Sequence, residues 1–459
     1  MSRIIKFFNV LRRNPKKSIF FSALLAGGIN FVKSKYEEKQ IMRAFCEEAM
    51  LYGECSKPLG EPDRHVTVLL NPAAKNGKGK IFFDRYCAPL LYLAGIKVAI
   101  VKTEHEGQAR DLMEIMDNTS AVVVAGGDGT LGEVLTGLLR RVDHIDATQK
   151  LPLGILPLGS TNTAMSAVWG FRGNPKPQHL AAATMAIVHD IKRPLDVMEI
   201  TPLQNPEVEA VPKPVYAAST VEWGAYRDAY ERKDTYWYWS VLKKYMTYVF
   251  SSYKDITWDC SAEVEISAPC SGCSRCRMNT DHEEFKKDDT PEPLRRWWMA
   301  YLPKPQPVSG TTPDEEKVDY SSIINEDCGV LHKSTISSIC DLNISTRNTP
   351  HSLGVSNYAL VLKTGPPSIG VLEFIKEGWR REWNSCKNYS AETAVGEITL
   401  RPTGNTKTEK AGEARLFWPC VSEILNVPLT QSEGKEHLAN YIKDMHNALI
   451  YFFFYCSVP

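Results

Sequence analysis

The sequence predicts an α/β chain: a parallel-sheet domain and then a second, β-rich, sandwich-like domain, behind a basic and apolar leader. Three observations carry that prediction. Between residues 64 and 164, short β-branched runs alternate with helical stretches of about ten to fifteen residues, as in a parallel sheet. Those strands stop in loops bearing glycine, asparagine or threonine. From about residue 334, strands return in close succession. A chain of 459 residues is long enough for two domains with separate cores. Its 54 basic and 54 acidic side chains cancel, which argues against nucleic acid as a partner. Twelve cysteines in this length are too dilute for a small secreted disulfide framework.

Residues 1–60 read as a targeting or membrane-anchor segment and a helix. Arg3, Lys6, Arg12, Arg13, Lys16 and Lys17 all precede Glu37, the first acidic residue. Ser18–Val32 is apolar apart from Asn30. An acid-free basic leader suits mitochondrial targeting, and no small-residue cleavage site supports a secretory signal instead. The apolar run is shorter than the roughly 20 residues that span a bilayer. Lys33 and Lys35 could snorkel beyond it, so a single anchor stays open. The charged stretch 35–48 reads as a polar helix.

Residues 61–195 form the expected first domain. A strand over 64–70 ends in Asn71-Pro72 and a lysine- and glycine-rich loop, and a helix follows at 80–94. A second strand, 97–101, ends at Lys102-Thr103, with a helix over 108–116. Val122-Val123-Val124 then stops in Gly126-Gly127-Asp128-Gly129-Thr130 before an apolar helix. The last unit is Leu153–Leu158, closing on Gly159-Ser160-Thr161-Asn162. Strand, glycine turn and helix place backbone N–H groups around a phosphate. This glycine loop is neither the P-loop nor the dinucleotide fingerprint. Asp128 is its one ionisable group.

The order N-P-x-x, K-T, G-G-D-G-T and P-x-G-S-x-N resembles the catalytic domain of the diacylglycerol kinase and sphingosine kinase superfamily. That resemblance implies nucleotide contacts from Asn71, Pro72, Thr103, Gly126, Gly127, Asp128, Gly129, Thr130, Glu133, Ser160 and Asn162. Two positions depart from the pattern: Thr163 stands where Asp is frequent, and Gly132 where Asn or His is. The stretches 100–110, 125–141 and 156–161 are similar to the acylglycerol kinases of mitochondria, a likeness covering roughly residues 1–400. The resemblance implies ATP and Mg²⁺ as cofactors and mono- and diacylglycerol as substrates, with Asp128 as general base or orienting acid. It also implies an inner-membrane location facing the intermembrane space. Two alternatives come with it, a sphingosine or ceramide kinase and a catalysis-independent subunit of the inner-membrane carrier translocase. NAD kinases share the G-G-D-G-T loop, but a membrane leader and an aromatic helix would be out of place there.

Residues 196–415 form the expected second domain. Arg193–Val197 reads as a strand leaving the first domain, with Asp196 in a structural role. A strand over 215–221 precedes Trp223-Gly224-x-x-x-Asp228, similar to the lipid-headgroup segment of sphingosine kinases. By that likeness Asp228 and Trp223 contact substrate; an acid stabilised at a helix start is the competing reading. The aromatic stretch 236–250 suits an acyl chain, a membrane surface or a core equally. Lys243 would face the phosphates, again by resemblance. Cys260, Cys270, Cys273 and Cys276 could bind structural zinc or pair as disulfides; the usual doubled C-x-x-C is absent, and no residue is assigned to a metal. A polar, proline-rich insertion at 279–317 includes Arg295-Arg296-Trp297-Trp298 as a membrane-touching patch. Glu413, in Lys410-Ala411-Gly412-Glu413, is the nearest match to the superfamily's Asp-Gly-Glu step and is the second catalytic candidate. Residues 416–459 are a divergent tail.

Overall fold

A four-stranded parallel sheet, in the order β2-β1-β3-β4, carries the first half of the chain. The computed structural model describes residues 15–54, 64–164, 175–192, 195, 197–201, 213–218, 220–252, 260–270, 273–275, 297–298, 323–346, 360–382 and 389–402. All lie in the first of two compact units, 1–419 and 420–459. Strand β1 (His65–Leu70) lies between β2 (Lys97–Lys102) and β3 (Ala121–Gly126), and β4 (Leu153–Pro157) adds to β3. The chain moves outward from β1 to β2 and returns on the other side of β1. That reversal opens a crevice at the carboxyl ends of β1 and β3, where ligands bind in open parallel sheets.

Strand β3 is buried along its whole length, whereas the edge strand β2 is half exposed. Alternation sorts its side chains. Ala121, Val123 and Ala125 join Val66, Val68 and Leu70 in one core, and Val122 and Val124 join Leu69 in another. Helix α1 (Pro15–Glu54) is a single helix of 40 residues. Phe45 and Ala49 of its second half are buried in the first core, while Leu24, Leu25, Ile29, Phe31 and Val32 are exposed. The stretch 35–48 is thus one-sided rather than polar throughout. No helix among the described residues is long and apolar enough to cross a membrane.

The single helix expected at 80–94 is instead α2 (Ala74–Gly77), α3 (Gly79–Phe82), a π-helical turn (Phe83–Cys87) and α4 (Ala88–Leu93). Pro89 explains the break, since it has no N–H to donate to the carbonyl four residues back. The second core is covered by α5 (Gln108–Ile115), α6 (Asp128–Leu139) and α7 (His144–Lys150) through Met113, Val134, Leu135, Leu138 and Ala147. On the first face, α8 (Pro177–Val188) contributes Leu180 and Met185. Trp298 corrects the expected membrane patch. It is fully buried in the first core and stacks on His189 with ring centroids 5.3 Å apart. An indole of that area gains more in a core than on a surface. Trp297 packs on Phe45 at 4.9 Å, and Arg295 and Arg296 lie outside the described residues.

The second half is antiparallel. Strands β5 (Met198–Ile200) and β6 (Val215–Ala217) pair with each other. Strand β7 (Thr220–Gly224) edges a four-stranded sheet, order β12-β11-β10-β7, and a three-stranded sheet has order β13-β8-β9. Helix α9 (Ala225–Glu231) follows β7, and α10 (Lys243–Ser251) precedes β8 (Cys260–Ser267). The remaining elements are β9 (Leu331–Ile339), β10 (Asp341–Ser345), β11 (Leu360–Thr364), α11 (Val371–Arg381), β12 (Ala391–Val395) and β13 (Ile398–Pro402). Two runs expected as single strands are split between sheets: 215–221 into β6 and β7, and 334–346 into β9 and β10. In the second run Ser338 has φ +55° and the Cys340 N–H donates to the Pro366 carbonyl at 3.0 Å, which breaks the ladder. The aromatic stretch 236–250 is also divided. It is 3₁₀-helical over Arg232–Leu242, kinked at Ser240 (φ 47°, ψ −114°), and α-helical from Lys243.

Candidate active site

Asn71 follows β1 and Gly126 ends β3, so their loops leave the sheet side by side. The Asn71 N–H donates to the Ala125 carbonyl at 3.1 Å, and its Nδ2 donates to Thr130 Oγ1 at 3.0 Å. Its Oδ1 accepts from the Ala73 N–H at 3.0 Å, which shapes the turn holding Pro72. Thr103, at the end of β2, is buried, and its N–H donates to the Leu70 carbonyl at 3.0 Å. Asn71 therefore acts as a clamp on the glycine loop.

Gly127 is the N-cap of α6 and supplies no side-chain cap, as glycine must, so the first-turn N–H groups get none from it. The loops pack too closely for side chains. A methyl at Gly127 would lie 2.9 Å from the Thr161 carbonyl oxygen and 3.1 Å from Gly159 Cα, and one at Gly159 would collide with Gly127 Cα. At Gly129 no atom comes within 4 Å of such a methyl. The loop is thus closed on its protein side and open at Gly129.

Asp128 ties the two loops together. Its carboxylate accepts from the Thr163 N–H at 2.7 Å and the Ala164 N–H at 3.0 Å, and its own N–H donates to the Thr161 carbonyl at 3.2 Å. Burial raises its pKa, and the two backbone bonds oppose that rise. At the departure, Thr163, the backbone N–H and the side chain both bond this carboxylate. Asn162 is buried and folds its own loop: Oδ1 accepts from the Gly159 N–H at 3.1 Å and Nδ2 donates to the Gly159 carbonyl at 2.9 Å. Ser160 is exposed beside it. Glu133 turns elsewhere, its carboxylate accepting from the N–H groups of Gly107 and Ala109 at the start of α5. Burial raises its pKa against those bonds.

The facing side chains come from the second half. Lys243, expected at the phosphates, pairs with Asp234 at 2.7 Å. The next residue is the one that reaches the loop: Lys244 Nζ donates to the Ser160 carbonyl at 3.4 Å and lies 3.5 Å from Glu382 Oε2. The Tyr248 hydroxyl donates to the other Glu382 oxygen at 3.5 Å. Burial raises the Glu382 pKa, and Lys244 holds it back. Lys233 stands 3.4 Å above the Tyr230 ring. Its pKa is pushed down to about 8 by burial, with Asp234 opposing and Lys244 adding to the fall. Lys233, Lys244 and Glu382 were missed in the sequence, since isolated charged residues carry no motif.

The W-G-x-x-x-D step has a structural part. Gly224 has φ +128°, and a methyl there would collide with the Cys340 carbonyl, which accepts from the Ala225 N–H at 2.9 Å. Trp223 is half buried on β7, opposite Leu342. Asp228 sits in the first turn of α9, 4.0 Å from Arg232. Behind them lies a buried polar network. Glu222 accepts from Asn343 Nδ2 at 3.3 Å, and Arg381 pairs with Asp341 while covering the Tyr226 ring at 3.9 Å. Asp196, Cys276 and Glu413 lie outside the described residues. Cys260 belongs to β8, whereas Cys270 and Cys273 lie beyond its end, beside Cys328.

Chemically, the open space at Gly129, the first turn of α6 and the Lys244 ammonium suit a polyphosphate. The comparisons agree with that reading. Residues 65–200 match the diacylglycerol kinase catalytic domain family, and residues 219–402 the acylglycerol kinase C-terminal family. The mitochondrial acylglycerol kinase of Homo sapiens is 34% identical over 378 residues, 82% of this chain and 83% of that protein. That of Xenopus laevis is 39% identical over 267 residues, 58% of this chain and 60% of that protein. The ceramide kinase of Homo sapiens is 36% identical over only 122 residues, 24% of this chain and 23% of that protein. With these two matched domains and 34% identity over 82% of its length to the human protein, the chain belongs to the acylglycerol kinase family of lipid kinases.

Proposed function

We propose that this chain is an ATP- and Mg²⁺-dependent kinase that phosphorylates mono- and diacylglycerol to lysophosphatidic and phosphatidic acid at a mitochondrial membrane. The observation that carries this is the Gly126–Thr130 loop, held at the sheet's topological reversal with its Gly129 face open and Asp128 fixed behind it. Asn71, the glycine loop and the Ser160–Asn162 loop would hold the nucleotide, with Lys244 on the phosphates from the facing side. Among the described residues no cluster of carboxylates stands ready to enclose a cation. Mg²⁺, when bound, would neutralise charge on the transferring group.

In the transfer, the primary hydroxyl oxygen of the lipid attacks the γ-phosphorus, ADP leaves, and the hydroxyl proton is lost. Asp128 serves best as the orienting acid. Backbone N–H groups of Thr163 and Ala164 and the side chains of Thr161 and Thr163 bond its carboxylate, and its raised pKa makes it a better acceptor for that proton. The acylglycerol, the inner membrane facing the intermembrane space, and carrier-translocase subunits are the partners this reading implies. The mitochondrial placement rests on the basic leader and on relatives named as mitochondrial.

The test is phosphate transfer from labelled ATP to monoacylglycerol, diacylglycerol, ceramide and sphingosine in mixed micelles, wild type beside Asp128→Asn. Acylglycerols should be labelled and the variant should lose about 100-fold or more. Preferential labelling of ceramide or sphingosine would replace the substrate assignment. Absence of transfer to every lipid from folded wild-type protein would overturn the kinase and favour a non-catalytic translocase subunit.

A further inference from the structure

We infer that Cys270, Cys273 and Cys328 hold a structural zinc ion through their thiolates. The three Sγ atoms lie within 4.8 Å of one another, with Cys273 buried and the other two half buried. Sulfurs bound to one zinc at about 2.3 Å in tetrahedral geometry stand about 3.8 Å apart, so small side-chain adjustments bring all three to one ion, with a water or other donor in the fourth position. The local sequence offers Cys270, Cys273 and Cys276, the last outside the described residues. Cys328 reaches the first two from 55 residues beyond Cys273 through the fold, which is why spacing alone pointed to Cys260 instead.

The surroundings are built for such a site. The Ser274 N–H donates to the Ile323 carbonyl at 2.9 Å, and the Arg275 guanidinium to the Glu326 carbonyl at 3.4 Å, so the two cysteine-bearing turns are already joined. Asn325 Nδ2 donates to Cys270 Sγ at 3.4 Å, an outer contact that orients the sulfur. One metal ion would use all three sulfurs together. Thiolate sets of this kind select zinc over magnesium or calcium.

The position explains what the ion would do. Ser267 of β8 pairs with Leu331 of β9. Cys270 lies just past the end of β8, and Cys328 just before the start of β9. The ion would therefore close the neck of the long connection between two adjacent strands, offsetting the entropy of holding its ends together. That connection also carries Trp298 into the core of the first half. The ion's role is structural, remote from phosphoryl transfer.

The experiment is metal analysis of the full chain, purified without chelator under reducing conditions, followed by cobalt substitution. About one zinc per chain is expected, and the cobalt form should show intense tetrahedral bands with thiolate charge transfer. Cys270→Ser and Cys328→Ser should fall to background zinc, while Cys46→Ser keeps its full complement. Wild-type protein that contains no zinc and takes none up, or that joins two of these cysteines in a disulfide, would overturn the site. Full zinc in Cys328→Ser would do so as well. The wild-type measurements stand even if a variant fails to fold.

Discussion

The glycine loop and the lysine-bearing wall that meets it are specified in different ways. The loop is a backbone device. Gly126 to Thr130 and Gly159 to Ala164 meet through backbone N–H groups, carbonyls and the one carboxylate of Asp128, at the places where strands stop. The wall is a side-chain device on a helix whose start is displaced by the kink at Ser240. Neighbouring positions on a helix point about 100° apart, so one residue of phase decides whether Lys243 or Lys244 faces the loop. Past the kink it is Lys244 that reaches the Ser160 carbonyl, while Lys243 pairs with Asp234.

The largest expected effect lies within the loop itself. Gly159→Ala drives a methyl into Gly127 and should lower activity by about 100-fold or more, with a loss of stability of about 1–3 kcal/mol. Gly129→Ala meets nothing in the protein, so its melting temperature should hold while the KM for ATP rises. Parallel melts and ATP titrations check both. Equal loss of stability in the two variants would break the picture of a loop closed on one side and open on the other.

A smaller effect separates the two lysines. Lys244→Ala should reduce kcat/KM for ATP about tenfold, a difference of about 1.4 kcal/mol. Lys243→Ala removes an ion pair with the largely exposed Asp234 and should change stability by no more than about 1 kcal/mol, with kcat within about twofold. The reverse ranking would return the phosphate contact to Lys243.

The smallest effect is in pH dependence. Because burial raises the Glu382 pKa, the folded chain binds this proton more tightly than the unfolded one. Its contribution favours folding below the ordinary carboxylate pKa and is lost as pH rises through the raised value. Glu382→Gln should flatten that limb of the melting-temperature profile above about pH 4. An unchanged slope would show that the carboxylate titrates as if solvated.

Much of the first half was legible for the same physical reason that the loop was. Val122–Val124, Asn71 and the two glycine turns are contiguous signals whose contacts are local to the ends of strands. The division of 334–346 between two sheets was not legible, because a single residue at positive φ, Ser338, redirects an otherwise uniform β pattern. Glu222, Asp341 and Arg381 come together from three distant stretches, and nothing near any of them announces the others. Trp298 misled for a simpler reason, since a basic-aromatic run reads alike whether its rings meet lipid or a core.

Helix α1 has a mechanical consequence. It runs without interruption from exposed apolar positions into the core that carries the sheet, so Ile29 and Phe45 stand about 24 Å apart along one axis. A flexible tether of equal length would let the cleft sample every heading. This rod transmits torque: whatever grips the residues around Ile29 also sets the distance and the aim of the cleft.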